Sequence, residues 1–318
     1  MPLPVTLFMS TDAGAPQIVN GDLNDLIAIL KACLVDGYGT KNALGWSVAF
    51  EDAPNSKIAF RNSTDYGSGG YVQLWPETGV GSNQDISLTS AASMTALDLF
   101  TNKGFEYKYK MLSVETVWML VGTSTGFYFQ TQHTSYVATQ NKLGANTQCF
   151  FAGDFHSYHS PDPGVFIVSC GSSSGDLTNA NSGYSVGHLG RDYSVGIIYD
   201  LDGSPNNKLH KTAFLSNESS SPQSLGTLDD ITMPLVFRDA EITTGYQPSE
   251  YDNHGVYVGN STTRPFIRGK FPGLLQCSTA AYYDQPWPAL YSINSVEYIG
   301  IVGQPGVQLW VNTEAWYD

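Results

Sequence analysis

One stretch near the N-terminus repeats its apolar residues at helical spacing. The apolar positions are Leu23, Leu26, Ile27, Leu30, Cys33 and Leu34. This spacing places them on one face and predicts a single amphipathic helix. Asp22 precedes the series and is a predicted N-cap, while Asp25 adds favourable negative charge to the first turn. Gly37 is predicted to end the helix in the left-handed cap conformation.

Beyond the helix the pattern changes to short apolar runs separated by turn residues, which is typical of β-strands. Runs at Trp46–Phe50, Lys57–Asn62 and Tyr71–Trp75 predict a meander, and we expect the helix to pack on one face of it. Strand-like runs continue to the C-terminus. They are interrupted by loops rich in Ser, Gly and Asn at 171–185 and 216–226, which we expect to be exposed.

These elements predict a mainly β (α+β) fold, an antiparallel β sandwich or meander with one amphipathic N-terminal helix. We place a helix-plus-meander region at residues 1–80 and a large antiparallel β domain at 81–318, with one continuous domain as the alternative. A chain of 318 residues buries roughly 75% of its unfolded surface, so it needs neither a disulfide nor a metal in order to fold.

The charge of the chain narrows the range of partners. It has 15 Lys and Arg against 29 Asp and Glu, a net charge of −14, whereas a face that binds nucleic acid needs clustered basic residues. The densest basic group is Arg264, Arg268 and Lys270, which we interpret as a solvated strand edge. We therefore expect no nucleic-acid partner and no anionic membrane partner. Only 14% of residues are charged and 13% are aromatic, a balance that suits large neutral interfaces.

The cysteines indicate a reducing compartment. Cys33, Cys149, Cys170 and Cys277 are widely separated, and no two have the spacing of metal ligands. We expect four free thiols in a chain made in the cytoplasm. The first 20 residues lack the basic and apolar segments of a secretory leader, and no run approaches the ~20 apolar residues of a membrane span.

The strongest candidate for site chemistry is the sequence GDFHSYH at residues 153–159. On a strand, Asp154 and His156 would share a face and His159 would point the other way. Two histidines and a carboxylate can hold a metal ion, which makes these three residues weak candidates for a metal site. The competing interpretation, which we favour, is an exposed polar strand end that leads into a turn. We expect no cofactor.

Hydrolytic chemistry is the next class to weigh. Glycoside cleavage needs two carboxylates flanking the sugar bond, and no pair stands out among the acidic candidates. These are Asp154, Asp192, Asp229, Asp230, Asp239, Glu241, Glu250 and Asp252. The letters GSSSG at residues 171–175 match a serine nucleophile elbow, but no helical pattern follows them. We therefore expect no catalytic residues.

Aromatic residues cluster near the C-terminus. The candidates are Tyr282, Tyr283, Trp287 and Tyr291, and they lie beside an Asp and a Gln. Such clusters occur at protein interfaces and in sugar-binding platforms. Packing in the core beside two prolines is the third interpretation. Of the three we favour a protein interface.

Several segments, taken in order, resemble structural proteins of tailed bacteriophages and prophages. At the N-terminal end these are STDAGAP at 10–16, AILKACLVDGYG at 28–39, GW at 45–46 and GSGGY at 67–71. Later segments are SMTALD at 93–98, VWMLVG at 117–122, FYF at 127–129 and FAGDF at 151–155. The last are IRGKFPGLL at 267–275, similar to an Arg-Gly-x-x-Pro-Gly-Leu segment, and AW at 315–316.

The resemblance implies a non-enzymatic structural component of a virion, in the tail, baseplate, collar or head surface. It implies a chain made in the host cytoplasm, repeated as a homo-oligomer and in contact with other virion proteins. A carbohydrate-binding fibre or decoration module that contacts a surface glycan is the alternative. A polysaccharide depolymerase ranks below it.

Overall fold

The computed structural model describes thirteen segments of the chain. These are residues 2–77, 85–110, 116–132, 134, 148–170, 196–199, 201, 203, 208–213, 237–246, 267–277, 286–301 and 308–317.

The regular elements are mostly strands. The helical elements are α1 (Leu23–Lys31), a π-turn at Ala32–Asp36 and a short 3-10 turn at Ala53–Asn55. The strands are β1 (Leu3–Pro4), β2 (Thr6–Met9), β3 (Ser47–Asp52), β4 (Lys57–Arg61), β5 (Tyr71–Pro76), β6 (Asp85–Ala96), β7 (Leu99–Lys103), β8 (Tyr107–Lys110), β9 (Val117–Gly122), β10 (Gly126–Gln132), β11 (Gln148–Asp154), β12 (His156–Ser157), β13 (Phe166–Cys170), β14 (Gly196–Ile198), β15 (Lys208–Ala213), β16 (Phe237–Tyr246), β17 (Ile267–Cys277), β18 (Leu290–Ile293), β19 (Val296–Ile301), β20 (Gln308–Asn312) and β21 (Ala315–Trp316).

The strands of the described segments form three large sheets and one small pair. The N-terminal sheet has the order β3-β4-β5-β6-β7, with β8 also on β6, and the central sheet has the order β13-β11-β10-β9-β2. The C-terminal sheet has the order β14-β15-β16-β17-β20-β19-β18, and β12 also pairs with β17. The small pair consists of β1 and β21. Every strand pairing within the described segments is antiparallel. The predicted antiparallel β-rich fold with an N-terminal helix is confirmed.

The helix begins as the sequence predicts and ends differently. The Asp22 carboxylate accepts a hydrogen bond from the Asp25 backbone N–H, which makes Asp22 the N-cap. The Asp25 carboxylate is buried and accepts from the N–H groups of residues 19–21, so it also orders the loop before the helix. Gly37 ends the element after the π-turn, with φ 78° and ψ 169°. Gly37 is therefore the terminating residue with a positive φ, as predicted, but its ψ lies outside the left-handed helical region, so the predicted left-handed conformation is wrong.

The meander and the helix pack together as predicted. Strands β3, β4 and β5 pair consecutively, and Leu26 and Leu30 of the helix are fully buried. Their cluster includes Ile58, Phe60 and Val72 of the N-terminal sheet, so the helix covers the inner face of that sheet.

The central sheet is buried on both faces. Along β10, Phe127 and Phe129 belong to the core shared with the N-terminal sheet, while Tyr128 between them belongs to the core shared with the C-terminal sheet. The same alternation divides Leu120 from Val121 along β9. The part of the chain that the structure describes therefore forms three β layers rather than the two of a simple sandwich.

The two predicted regions, 1–80 and 81–318, share sheets. Strand β5 pairs with β6 over six residues, from Tyr71 opposite Ala91 to Pro76 opposite Ile86. Strand β2 pairs with β9 in the central sheet. Residues on both sides of the predicted boundary therefore contribute to the same layers.

We predict that Leu30→Ala lowers the free energy of unfolding by about 2–5 kcal/mol, because the Leu30 side chain is fully buried between two layers and its removal leaves a cavity. Urea titration measures this change. Val19→Ala is the control, since the Val19 side chain is 77% exposed, and we expect less than about 0.5 kcal/mol there. A loss below about 1 kcal/mol for Leu30→Ala would contradict the packing.

Candidate functional site

A surface cleft of about 790 Å³ opens where the ends of several elements meet. Its walls come from the turn at 65–68, the strand ends at 154–157, the loop at 161–165 and Tyr317 near the C-terminus. The segment with the strongest predicted chemistry, residues 153–159, therefore borders the cleft.

The turn that forms one wall is held by hydrogen bonds from both ends. The Asn62 side-chain amide donates to the Thr125 carbonyl at 3.0 Å, and the Ser63 N–H donates to the Ser124 carbonyl at 3.0 Å. The Ser63 hydroxyl accepts from the N–H groups of Asp65 and Tyr66. These bonds fix the backbone that presents Tyr66 to the cleft.

Asp154 joins this turn to the central sheet. The Ser68 hydroxyl donates to Oδ1 of Asp154 at 2.6 Å, and the Ser68 N–H donates to Oδ2 at 2.7 Å. The Tyr317 hydroxyl donates to the Asp154 backbone carbonyl at 2.5 Å. One residue at the end of β11 thus holds the 65–68 turn and the C-terminal segment together.

Burial sets the ionisation of Asp154. The residue is 7% exposed, and loss of hydration raises the pKa of its carboxyl to about 6 against the opposing effect of the hydrogen bonds from Ser68. A carboxyl that titrates near neutrality beside a cleft is a feature of many functional sites. Here both oxygens are already occupied, so the arrangement serves first to hold the turn.

The two histidines have separate surroundings. The His156 ring stacks on Tyr317, with ring centroids 6.1 Å apart, and burial followed by the charge of Lys270 lowers its pKa. The His159 Nε2 lies 3.3 Å from the Ile267 carbonyl oxygen. Within the described segments no three His, Cys, Asp or Glu side chains are grouped closely enough to hold a metal ion. The structure therefore does not bring Asp154, His156 and His159 together as ligands.

A buried ion pair supports the opposite wall. Nε and Nη2 of Arg268 donate to the two carboxylate oxygens of Asp162 at 2.7 and 2.6 Å, and both side chains are 1% exposed. The Ser157 hydroxyl also donates to Asp162, at 2.6 Å. The interpretation of Arg268 as part of a solvated edge is wrong, because the guanidinium is paired inside the protein. The sequence does contain one indication of such a pair, since an Arg within the largely apolar strand β17 needs a compensating carboxylate.

Two glycines of the 267–275 segment allow close approaches. A Cβ on Gly269 would collide with the His156 carbonyl oxygen of the paired strand β12. Gly273 has φ 63°, and a Cβ there would collide with the Trp316 indole. The segment therefore has structural reasons for its Arg and both of its glycines.

The C-terminal aromatic candidates divide between the core and the segments outside the described residues. Trp287 is 5% exposed and belongs to the core of the C-terminal sheet. Tyr291 is half-buried and stacks on Phe237, with ring centroids 5.5 Å apart. Tyr282 and Tyr283 lie outside the described residues. Of the three interpretations of this cluster, core packing describes Trp287.

The structure gives partners for two further acidic residues that were considered for glycoside cleavage. Asp239 pairs with Lys270 at 3.1 Å, and Glu241 pairs with Arg238 at 3.4 Å. Outside the described residues lie Asp192, Asp229, Asp230, Glu250, Asp252 and the GSSSG letters at 171–175. Sequence reasoning missed Asp65, which lines the same cleft as Asp154.

Comparisons with known proteins give no family to which the site can be referred, since no family model and no curated protein sequence matches this chain. The helical elements in the described part are all too short or too polar to cross a membrane.

We predict that the stability difference between wild type and Asp154→Asn depends on pH. The folded-state pKa of about 6 exceeds the unfolded value, so the native state binds the proton more tightly. The resulting stabilisation is complete below about pH 4 and is lost as the pH rises through 6, a change of roughly 3 kcal/mol. The asparagine variant lacks this change.

Urea titrations of both proteins from pH 4 to pH 7 measure the effect. Asp65→Asn, at an exposed position of the same cleft, is the control, and we expect its unfolding free energy at pH 7 to stay within about 0.5 kcal/mol of wild type. A difference between wild type and Asp154→Asn that is constant with pH, or that favours wild type more as pH rises, would refute the assignment.

Proposed function

We propose that this protein is a non-enzymatic structural component of a tailed-phage particle, present as a repeated subunit and acting through protein–protein contacts. The observation that carries the proposal is the ordered set of segments that resemble phage structural proteins. Those segments supply β9, β10, β11, β17 and β21, which are framework elements.

Three of these segments meet at one point in the core. The Tyr128 hydroxyl donates to the Pro272 carbonyl at 3.0 Å, and the Tyr128 ring lies edge-on to Trp316 at 5.4 Å. Trp316 in turn lies against Gly273. Segments that are far apart in sequence thus depend on one another for their packing.

The engagement of reactive groups supports a contact function. The Asp154 and Asp162 carboxylates are occupied by Ser68 and Arg268. The thiols of Cys33 and Cys170 are buried, and burial raises their pKa values well above the usual range for cysteine, which disfavours a nucleophilic thiolate.

The proposed partners are other virion proteins and further copies of this chain. A net charge of −14 disfavours DNA as the partner. We propose the loops at 171–185 and 216–226 as the contact regions on the basis of their length and composition. Both lie outside the described residues.

A carbohydrate-binding module is the alternative, and a polysaccharide depolymerase ranks below it. The depolymerase is supported by Asp65 and Asp154, which line one cleft, since paired carboxylates are what glycoside cleavage uses. It ranks lower because Asp154 would first have to release its hydrogen bonds to Ser68.

We predict that purified particles contain this chain in multiple copies and that deletion of its gene stops the formation of intact particles. Mass spectrometry and electron microscopy of the particles measure both outcomes, and a plasmid copy of the wild-type gene is the control for the deletion. Absence of the chain from purified particles would reject the proposal. If the deletion gives particles of normal structure that adsorb poorly to the host, the function would instead be that of a receptor-binding module.

A further inference from the structure

We propose that the cleft between the 65–68 turn and the 154–165 segment binds a neutral carbohydrate, with the Tyr66 ring as the surface on which a sugar lies. The proposed structural role does not require the cleft to bind a ligand, so this proposal goes beyond it. It holds whether or not the chain is a particle subunit.

The exposed ring is the first argument. Tyr66 lines the cleft and is 67% exposed, whereas the aromatic rings of the central sheet are buried. Tyr158, whose ring contacts His156 of the cleft wall, is 48% exposed. Exposed rings beside polar groups suit a ligand with both an apolar face and hydroxyl groups, and a pyranose has both.

The charge of the described walls disfavours anionic ligands. The described residues that line the cleft include no Lys or Arg. Arg268 lies behind the wall, and the Asp162 carboxylate neutralises it. Burial and the charge of Lys270 lower the pKa of His156, which disfavours the charged form of its ring. A phosphate or uronate would meet the Asp65 carboxylate, and the cation that acts on His156, Lys270, is already paired with Asp239 at 3.1 Å.

Polar groups for a neutral ligand are present and rigidly held. The Asp65 carboxylate and the His156 ring can bond sugar hydroxyls. The Asp154–Ser68 bonds hold one wall, and the Asp162–Arg268 pair holds the other. A preorganised site loses less entropy on binding. The volume of about 790 Å³ lies within the usual range for ligand sites.

A basic peptide is the strongest rival occupant. It would need several carboxylates that are free to pair, but Asp162 is already paired and both oxygens of Asp154 accept hydrogen bonds from Ser68. Asp65 remains as an exposed carboxylate. A single surface charge contributes little to binding, so the observations favour the neutral ligand.

The test uses immobilised neutral hexasaccharides of glucose, galactose, mannose and N-acetylglucosamine, with hexagalacturonate as the anionic probe. We expect the isolated protein to bind at least one neutral probe and to bind hexagalacturonate more weakly. Tyr66→Ala should reduce the affinity by about tenfold or more, and Asp65→Asn should also reduce it. Leu99→Ala, at a residue that is 59% exposed and is not part of the cleft wall, should leave it unchanged.

Three results would overturn the proposal: binding to none of the neutral probes, preference for hexagalacturonate, or neutral binding that Tyr66→Ala does not weaken. Displacement of the bound sugar by oligolysine at lower concentrations than by free sugar would assign the cleft to a basic peptide instead. Because the binding is measured on the isolated protein, these outcomes are independent of whether particles contain the chain.

Discussion

The strands of the central sheet carry large apolar side chains on both faces, so this sheet requires a protein layer on each side. Phe127 and Phe129 point to one layer while Tyr128 points to the other. Antiparallel sheets commonly leave one face to water, and a single covering layer would expose half of these rings. The helix with the N-terminal sheet covers one face, and the C-terminal sheet covers the other. The positions of the helix, the N-terminal sheet and the C-terminal sheet follow from this burial of both faces.

The cleft also depends on the central sheet. Asp154 ends β11 and is still buried by the surrounding layers, so its carboxylate must find partners within the protein. Ser68 supplies them. Arg268 lies in the covering strand β17 and is equally buried, which requires the compensating carboxylate of Asp162. Asp154 thus fixes the 65–68 turn on one wall, and Arg268 fixes Asp162 on the other. The Tyr66 side chain of the 65–68 turn is 67% exposed.

The sequence predicts local features better than partners distant along the chain. The Asp22 cap and the apolar face of the helix follow from residue spacing, and the structure has both. The pairing of Arg268 with Asp162 joins residues that are 106 positions apart, and no periodicity encodes such a contact. Strand β7 has no clear sequence signal, because Leu99–Lys103 alternates weakly and is half-exposed. The 153–159 segment was found from its residue types, whereas Tyr66 was not, since a single tyrosine in a turn carries no pattern.

Hydrogen exchange of the isolated full-length protein tests the double burial of the central sheet most directly. Mass spectrometry of peptides from β10 and from β3 compares a central strand with the half-exposed strand at the edge of the N-terminal sheet. The account predicts that β10 amides exchange slowest and only through global unfolding. Exchange of β10 as fast as that of β3 would contradict the three-layer arrangement, because β10 is paired on both edges and covered on both faces whereas β3 is an edge strand.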